Sequence, residues 1–203
     1  RCALEMQSLM EQLGAIEIQA TKWRLTLKIG IAAGHVLYTT VGDPTKRCVA
    51  VVGGSALLRS AEAENQARSG DVIIDYTSLD CEQFKRETLD QRFAKVLGLE
   101  QSVRAQPIRW PEPITPHPPA QFDAYLHPTI AQQVREGRTA FINERRSVTL
   151  LFVNFNAPDY DRDPFAAERL NHYFREVLRI VERYDGYLNK VEIGDKGSSF
   201  LVL

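Results

Sequence analysis

The chain has 203 residues, of which 44% are hydrophobic, and its 25 Lys plus Arg nearly balance 26 Asp plus Glu. This length and apolar content suffice for one large folded domain or two small ones. A net charge of −1 gives no electrostatic footprint for nucleic acid or an acidic membrane surface, so we expect neither as a partner.

The first quarter of the sequence predicts a helix followed by a hairpin. Leu4, Leu9, Leu13 and Ile16 are close to helical spacing, with no N-cap residue before them. Residues 23–41 are rich in β-branched and apolar side chains and predict a strand. The sequence Gly-Asp-Pro-Thr at 42–45 is typical of a turn, and residues 47–54 predict the returning strand.

The next segment predicts a helix, two short strands and a linker. Ser55 stands at an N-cap position before an alanine-rich stretch, and Gly70 marks its end. "DVIIDY" and "QRFAKVLG" each predict a strand. Residues 106–119 hold six prolines, which exclude a helix or a central strand and favour an extended linker.

The last third predicts strand, helix and hairpin after a weakly helical stretch that reaches about residue 144. "SVTLLFVNF" is a continuous apolar and β-branched run, which predicts a buried central strand. A helix is expected from Pro164 to Asp185, with Gly186 as its C-cap. "YLNKVEI" and "SSFLVL" flank the turn "GDKG" as a hairpin, so the whole chain predicts an α+β fold. Both termini lie on apolar patterns, so we expect the chain to begin inside one domain and to finish inside another.

Cysteines, histidines and glycines predict structural roles. Three cysteines without a C-x-x-C pair indicate neither a disulfide framework nor a zinc site and fit a reducing cytoplasm. No apolar stretch approaches the roughly 20 residues needed to span a bilayer. We expect His35 to be a packed core histidine, because the other histidines are distant in sequence. Gly30 and Gly34 predict close backbone approach on a strand, and Cys48 a buried, inert thiol.

Two stretches together resemble class III nucleotide cyclases. "LKIGIAAGHVLYTTVGDPTKRCVAVVGG", a helix and "SGDVIID" resemble the second half of a cyclase module. "RRSVTLLFVNF", a long helix and "YDGYLNKVEIGDKGSSFLVL" resemble the first half of one. The layout is similar to that of tandem soluble, bicarbonate-responsive adenylyl cyclases.

The resemblance implies a division into partial modules of the ferredoxin-like class III cyclase catalytic fold. Residues 1–105 correspond to the C-terminal half of a first module, 106–145 to a Pro-rich linker and 146–203 to the N-terminal half of a second. Together they hold, in permuted order, the elements of one complete module. We therefore expect either a single permuted sheet or an exchange between chains.

The family's chemistry implies two divalent metals, Mg²⁺ or Mn²⁺, bridged by two aspartates at the interface between modules. The first aspartate position is occupied here by Asn154, a poor substitute for an anionic ligand. The second is Asp195, but Lys196 beside it repels a cation, and an aspartate there is equally explained as a turn residue. The partner helix of the first module has Leu57 where the family has Asn, and Ala61 or Glu62 near the family's Arg. The resemblance therefore implies a degenerate pseudo-site.

The bicarbonate-responsive relatives also imply an anion-sensing pocket near the pseudo-site. The matching positions are Arg59, which needs one gap in the alignment, with Val51, Ile193 and Gly194; an ordinary surface arginine is the alternative. Lys190 matches an adenine-recognising lysine, although its spacing to the hairpin is one residue longer than usual, and a surface lysine is the alternative.

The function that the resemblance implies is adenylate cyclase activity, forming cyclic AMP and pyrophosphate from ATP, with this segment as the non-catalytic half. Its partner is a second cyclase module, in cis or in another chain, and the residues do not decide between ATP and GTP. The alternative is an inactive cyclase-homology module for regulation, dimerisation or anion sensing. A third possibility, a ferredoxin-like domain unrelated to cyclases, would follow if the hairpins did not share one sheet.

Overall fold

A computed structural model describes residues 1–100, 119–138, 147–194 and 196–203, with the side chains of 119–121 excepted. The described chain forms α-helices and mostly antiparallel strands, so the expected α+β class is confirmed. The helices are α1 Cys2–Leu13, α2 Ser55–Gln66, α3 Pro128–Arg135 and α4 Ala166–Arg183, with a 3₁₀ helix at Pro119–Tyr125. The strands are β1 Ala15–Ile18, β2 Thr21–Arg24, β3 Ile29–Ile31, β4 Leu37–Asp43, β5 Arg47–Gly53, β6 Val72–Asp75, β7 Phe84–Thr88, β8 Phe93–Leu99, β9 Leu151–Phe155, β10 Leu188–Gly194 and β11 Gly197–Val202.

The chain folds into two compact units, and each unit is built from two separate segments of the sequence. Unit 1 comprises Arg1–Val36 and Gly54–Pro107, and unit 2 comprises Leu37–Gly53 and Ile108–Leu203. The hairpin β4–β5, which belongs to the first predicted module, is therefore grouped with the elements of the second. The boundaries of the cyclase modules themselves stay a prediction.

Unit 1 is a four-stranded sheet in the order β3-β6-β8-β7, with β3 and β6 parallel and the other pairs antiparallel. Strand β6 is buried along its whole length because it lies inside the sheet with neighbours on both sides. Ala63 and Ala67 pack with Ile73 and Phe93 in one apolar cluster. Gly30 confirms the expected close approach: a Cβ there would collide with the Ser60 carbonyl and the Glu64 amide of α2.

Unit 2 combines the antiparallel hairpin β4–β5 with a three-stranded antiparallel sheet in the order β10-β11-β9. The amphipathic helix α4 supplies Leu170, Phe174 and Leu178 to a core shared with Val41 and Phe200. The hairpin is fixed to α4 by polar contacts as well. The Gly42 amide donates to Asn171 Oδ1 at 2.9 Å, and Lys46 Nζ lies 2.7 Å from Glu182 Oε2.

The separate sheets contradict the expectation of a single permuted sheet. Within the described residues, β4–β5 and β10-β11-β9 are distinct sheets that share a hydrophobic core without sharing backbone hydrogen bonds. The hairpins β4–β5 and β10–β11 do not share one sheet, which is the condition stated above for a ferredoxin-like domain unrelated to cyclases. Side-chain packing, which the strand pattern does not encode, joins these elements.

Several local predictions need correction. The opening helix ends at Leu13, and Ile16 lies in the hairpin β1–β2, because Gln19 and Ala20 adopt positive φ and turn the chain. Residues 23–41 are not one strand, and β7 was not predicted at all. Strand β9 lies at the sheet edge, with Phe152 63% exposed, so its prediction as a buried central strand is wrong. An apolar run records hydrophobicity but not which strands flank it.

Helix ends also differ from the predicted caps. Gly54, at φ 121°, is the N-cap of α2, and Ser55 is its first residue. Helix α4 ends at Arg183 with Tyr184 as its C-cap, so the prediction of Gly186 as the C-cap is wrong. The chain turns at Asp185, which adopts the left-handed conformation with φ 55°. Phe165, inside the predicted helix, is instead the N-cap of α4 and is 55% exposed.

Candidate functional site

The predicted pseudo-site begins at Asn154 on the edge strand β9. Asn154 pairs with Ser199 of β11, and Ser199 pairs with Glu192 of β10, so these three side chains form a row on one face of the sheet. The neighbouring row, Phe155, Ser198 and Ile193, lies on the opposite face, where Phe155 and Ile193 pack against the core with α4. Asn154 is therefore presented on the face away from α4, and it is exposed.

The second predicted metal position, Asp195, lies outside the described residues. Gly194 and Gly197 form the last pair of the hairpin β10–β11, and Gly197 has φ 96°, a conformation that favours glycine. Lys196 is exposed at this turn. Among the residues that the structure describes, no group of three or more His, Cys, Asp or Glu side chains is placed to hold a metal ion.

Lys190, the candidate for adenine recognition, is ion-paired at the surface. Its Nζ lies 2.6 Å from Glu192 Oε1, and both side chains are about half exposed, at 50% and 53%. The two residues are two positions apart on β10 and so lie on one face of the strand. The ammonium group that would recognise adenine, that of Lys190, therefore already has the carboxylate of Glu192 as its partner.

Arg59, the candidate for anion binding, is engaged by a buried carboxylate in unit 1. Its Nε lies 2.9 Å from Asp75 Oδ2, and its Nη2 donates to Thr77 Oγ1 at 2.9 Å. The Asp75 side chain is fully buried and also lies 2.8 Å from Arg92 Nε, whose Nη2 reaches Glu62. The predicted partner of Arg59 is a dissolved anion, but in the structure its guanidinium is paired with the carboxylate of Asp75.

Burial alone raises the pKa of Asp75, but hydrogen bonds from Thr77 and Arg92 and the charges of Arg92 and Arg59 lower it further than burial raises it. The net effect is a pKa below the ordinary aspartate value, so Asp75 is ionised at neutral pH. Sequence analysis did not single out Asp75. The signal available was an acidic residue ending the apolar run "VII", where a charge needs a partner.

The other anion-site candidates belong to unit 2, whereas Arg59 belongs to unit 1. Val51 is 2% exposed in the core of unit 2, and Ile193 packs partly buried against the same cluster. Gly194 is half-buried at the end of β10. Of the predicted set, the structure therefore gathers Val51 and Ile193 in one apolar cluster.

His35 is not the predicted core histidine. It lies in the non-strand segment between β3 and β4, and it is exposed. Its backbone is hydrogen-bonded to the start of α2: the amide donates to Ser55 Oγ at 3.2 Å, and the carbonyl accepts from the Ala56 amide at 3.2 Å. Gly34 allows this approach, since a Cβ there would lie 2.5 Å from Ser55 Oγ.

Cys48 is buried as predicted, at 2% exposure, and burial raises the pKa of its thiol. A raised thiol pKa lowers the thiolate fraction at neutral pH, which disfavours reactivity.

Arg47, which the sequence marks only as the start of a strand, contacts several elements of unit 2. Its guanidinium donates to the carbonyls of Cys48, Ala124, Leu188 and Asn189 at 2.9–3.2 Å and lies 4.5 Å from the centre of the Tyr187 ring. One side chain thereby joins β5, the 3₁₀ helix and β10 within unit 2. Burial, its largest influence, lowers the pKa of Arg47.

Comparison with known proteins finds similarity to adenylate cyclase type 10 from several mammals. The chain is 25% identical to human adenylate cyclase type 10 over 234 aligned positions and 24% identical to the mouse and rat proteins, in each case over 99% of the chain. It spans 14% of the length of these relatives. No protein-family model matches it, and within the described residues no helix is long and apolar enough to cross a membrane. The chain is thus related, distantly but along its whole length, to adenylyl cyclases.

Proposed function

We propose that this chain is a central segment of a tandem adenylate cyclase, where one cyclase module ends and the next begins. The observation that carries the proposal is the continuous similarity to adenylate cyclase type 10 across 99% of the chain. The aligned region includes both stretches that resemble class III cyclases and the Pro-rich segment between them. An unrelated ferredoxin-like domain would not be expected to match one relative throughout.

The packing of unit 2 supports a pairing of the two partial modules. The hairpin β4–β5 shares one core with α4, β10 and β11, and Lys46, Gly42 and Arg47 anchor it by polar contacts. A buried core of this kind is a stable association and differs from a loose surface contact. The end of the first module would thereby serve as scaffold for the start of the second.

We further propose that the interface built by this segment is a pseudo-site without catalytic metal. An amide at residue 154 has no negative charge to offer to Mg²⁺, which prefers carboxylate ligands. Asn154 is flanked across the sheet by Ser199, a neutral side chain, and Glu192 is already paired with Lys190. The catalytic aspartates of the parent enzyme would be supplied elsewhere in the longer protein, together with its Mg²⁺ or Mn²⁺ and ATP.

The main test is an assay of cyclic AMP formation by the full-length parent protein with Mg²⁺ or Mn²⁺, with and without bicarbonate. The variant Asn154→Ala should retain wild-type kcat, because a pseudo-site residue does not touch the reacting phosphates. Ser199→Ala on the adjacent strand is the matched control for effects of the sheet. A loss of 100-fold or more in kcat for Asn154→Ala alone would show that this half carries the chemistry.

The alternative, an inactive regulatory or anion-sensing module, is favoured by one observation, the amide at Asn154. It predicts no cyclic AMP formation by the full-length parent under any of these conditions. Anion sensing by an inactive parent is tested by calorimetric titration with bicarbonate, whose binding Arg59→Gln should abolish. Unchanged binding would assign Arg59 to the structural pair with Asp75 alone.

A further inference from the structure

Unit 2 contains an open cavity of about 520 Å³ whose lining includes neither Asn154 nor the turn of the hairpin β10–β11. Its walls come from three parts of the chain: the tip of the hairpin β4–β5, the segment from Asp123 to Arg135, and the C-terminal end of α4 with the start of β10. The volume is within the range of small-molecule sites, roughly 300–1000 Å³.

The charged side chains lining this cavity leave one positive charge without a carboxylate. Lys46 is paired with Glu182 at 2.7 Å, and Arg135 lies 3.6 Å from Asp123. Arg47, the third cation of the lining, contacts backbone carbonyls and the Tyr187 ring, and in the described part of the chain it forms no ion pair. The lining is therefore electropositive at Arg47.

The guanidinium of Arg47 also keeps a hydrogen-bond donor. Nε and both hydrogens of Nη1 are directed to Leu188, Cys48 and Ala124, and Nη2 donates to Asn189. Because a guanidinium has five N–H groups, one N–H on Nη2 has no acceptor among the described residues. A carboxylate oxygen would satisfy that donor and neutralise the charge, which makes this contact stronger than one between neutral groups.

Part of the remaining lining is apolar. Its accessible apolar surface comes from Leu126, Pro128 and Val181. The lining residues Leu178, Leu188 and Ala131 are nearly inaccessible to solvent, at 4%, 1% and 2% exposure. The cavity therefore offers a cationic group beside a hydrocarbon surface.

We propose that this cavity binds a small organic acid, with its carboxylate on Arg47 and its apolar body against Leu126, Pro128 and Val181. Such a ligand would contact the hairpin, the segment following the Pro-rich stretch and α4 at once. Its binding would stabilise the association of these three parts. A small organic acid bound here would therefore regulate the segment by holding these three parts together.

The test is calorimetric titration of the 203-residue chain with octanoate, acetate and octan-1-ol. Octanoate should bind saturably at one site, whereas acetate, which lacks the hydrocarbon, and octanol, which lacks the charge, should each bind at least tenfold more weakly. Equal affinities for octanoate and octanol, or for octanoate and acetate, would overturn the proposal.

Three variants sharpen the result. Arg47→Met removes the charge and should weaken octanoate binding at least tenfold. Because Arg47 also connects β5 to β10, its replacement can disturb the fold, so two further variants test binding without changing Arg47. Ala131→Leu fills the cavity and should weaken binding at least tenfold, and Asp123→Asn releases Arg135 and should strengthen it several-fold.

Arg179→Gln provides the matched control, because Arg179 is an exposed cation of α4 outside the cavity, paired with Glu176. Its affinity for octanoate should equal that of the wild type. Unchanged binding in Ala131→Leu, or binding in Asp123→Asn that is unchanged or weaker, would contradict the site.

Discussion

Replacement of Asp75 by asparagine is the sharpest probe of unit 1. Asp75 is 0% exposed, its Oδ2 faces both Arg59 and Arg92, and its Oδ1 accepts from Thr77 Oγ1 at 2.6 Å. Asparagine keeps the shape and an acceptor for Thr77 but removes the charge. Its amide would place N–H groups or a neutral oxygen against two guanidinium groups.

The expected loss follows from the burial of each partner. Removing one member of a buried ion pair costs about 3–5 kcal/mol, because the remaining charge is left uncompensated. Here the two arginine side chains are 33% and 35% exposed, so water partly solvates them after the change. Since the Thr77 hydrogen bond also survives, we expect Asp75→Asn to lower the free energy of unfolding of unit 1 by about 2–3 kcal/mol.

The effect should depend on pH in a defined direction. The folded-state pKa of Asp75 is below its unfolded value, so its charge stabilises the fold above the unfolded pKa of roughly 3.9. That stabilisation is lost as pH falls through the folded pKa. The difference between wild type and Asp75→Asn should therefore be full at pH 7 and shrink below about pH 4.

The measurement is hydrogen exchange of the β6 amides combined with urea unfolding at pH 7 and at acidic pH. Asp80→Asn is the control, because Asp80 is exposed on the loop after β6, and its effect should stay below about 0.5 kcal/mol. If Asp75→Asn were as mild as the control, or its effect did not change with pH, the buried carboxylate would not be a stabilising centre.

Two further predictions concern unit 2. Phe174→Ala should lower the stability of unit 2 by about 3–5 kcal/mol, since Phe174 is fully buried among Phe155 and Phe200, whereas Ile180→Ala on the exposed side of α4 should cost about 1 kcal/mol or less by urea unfolding. Tyr160→Phe should change stability by less than about 1 kcal/mol at pH 7, because its buried hydroxyl lies near Ser198 without reaching hydrogen-bond geometry. Burial raises the pKa of Tyr160 to about 12, so the wild type should lose stability as pH rises from roughly 10, the unfolded value, toward 12. Tyr160→Phe should lack that component, and identical alkaline unfolding of the two proteins would refute the assignment.

Local sequence signals predicted the elements whose physics is local. Turn residues between apolar runs, at 42–45 and 194–197, predicted both hairpins, although the first strand was predicted over 23–41 and lies at Leu37–Asp43. The amphipathic pattern of 164–185 predicted helix α4. The prediction that another part of the backbone approaches Gly30 closely is confirmed, because a Cβ there would collide with the backbone of α2.

Predictions failed where a residue's environment is made by distant parts of the chain. The apolar run at β9 predicted a central strand, yet its position in the sheet order leaves Phe152 exposed. His35 was expected in the core, but β3 ends before it and the hairpin strand begins after it. Neither outcome is encoded within a window of a few residues.

Charge pairing was likewise decided by the tertiary structure. The sequence alone assigns no partner to Arg59, Lys190 or Arg47. Folding places Arg59 on Asp75 and Lys190 on Glu192, but directs Arg47 toward carbonyl groups beside a cavity. The sequence by itself predicted the hairpins β4–β5 and β10–β11 and the helix α4, and it carried the resemblance to cyclases, because these depend on residue pattern. Only the tertiary structure decided that Arg59 meets Asp75 and that Arg47 meets carbonyl groups of Ala124 and Leu188, because these partners lie far from each arginine along the chain.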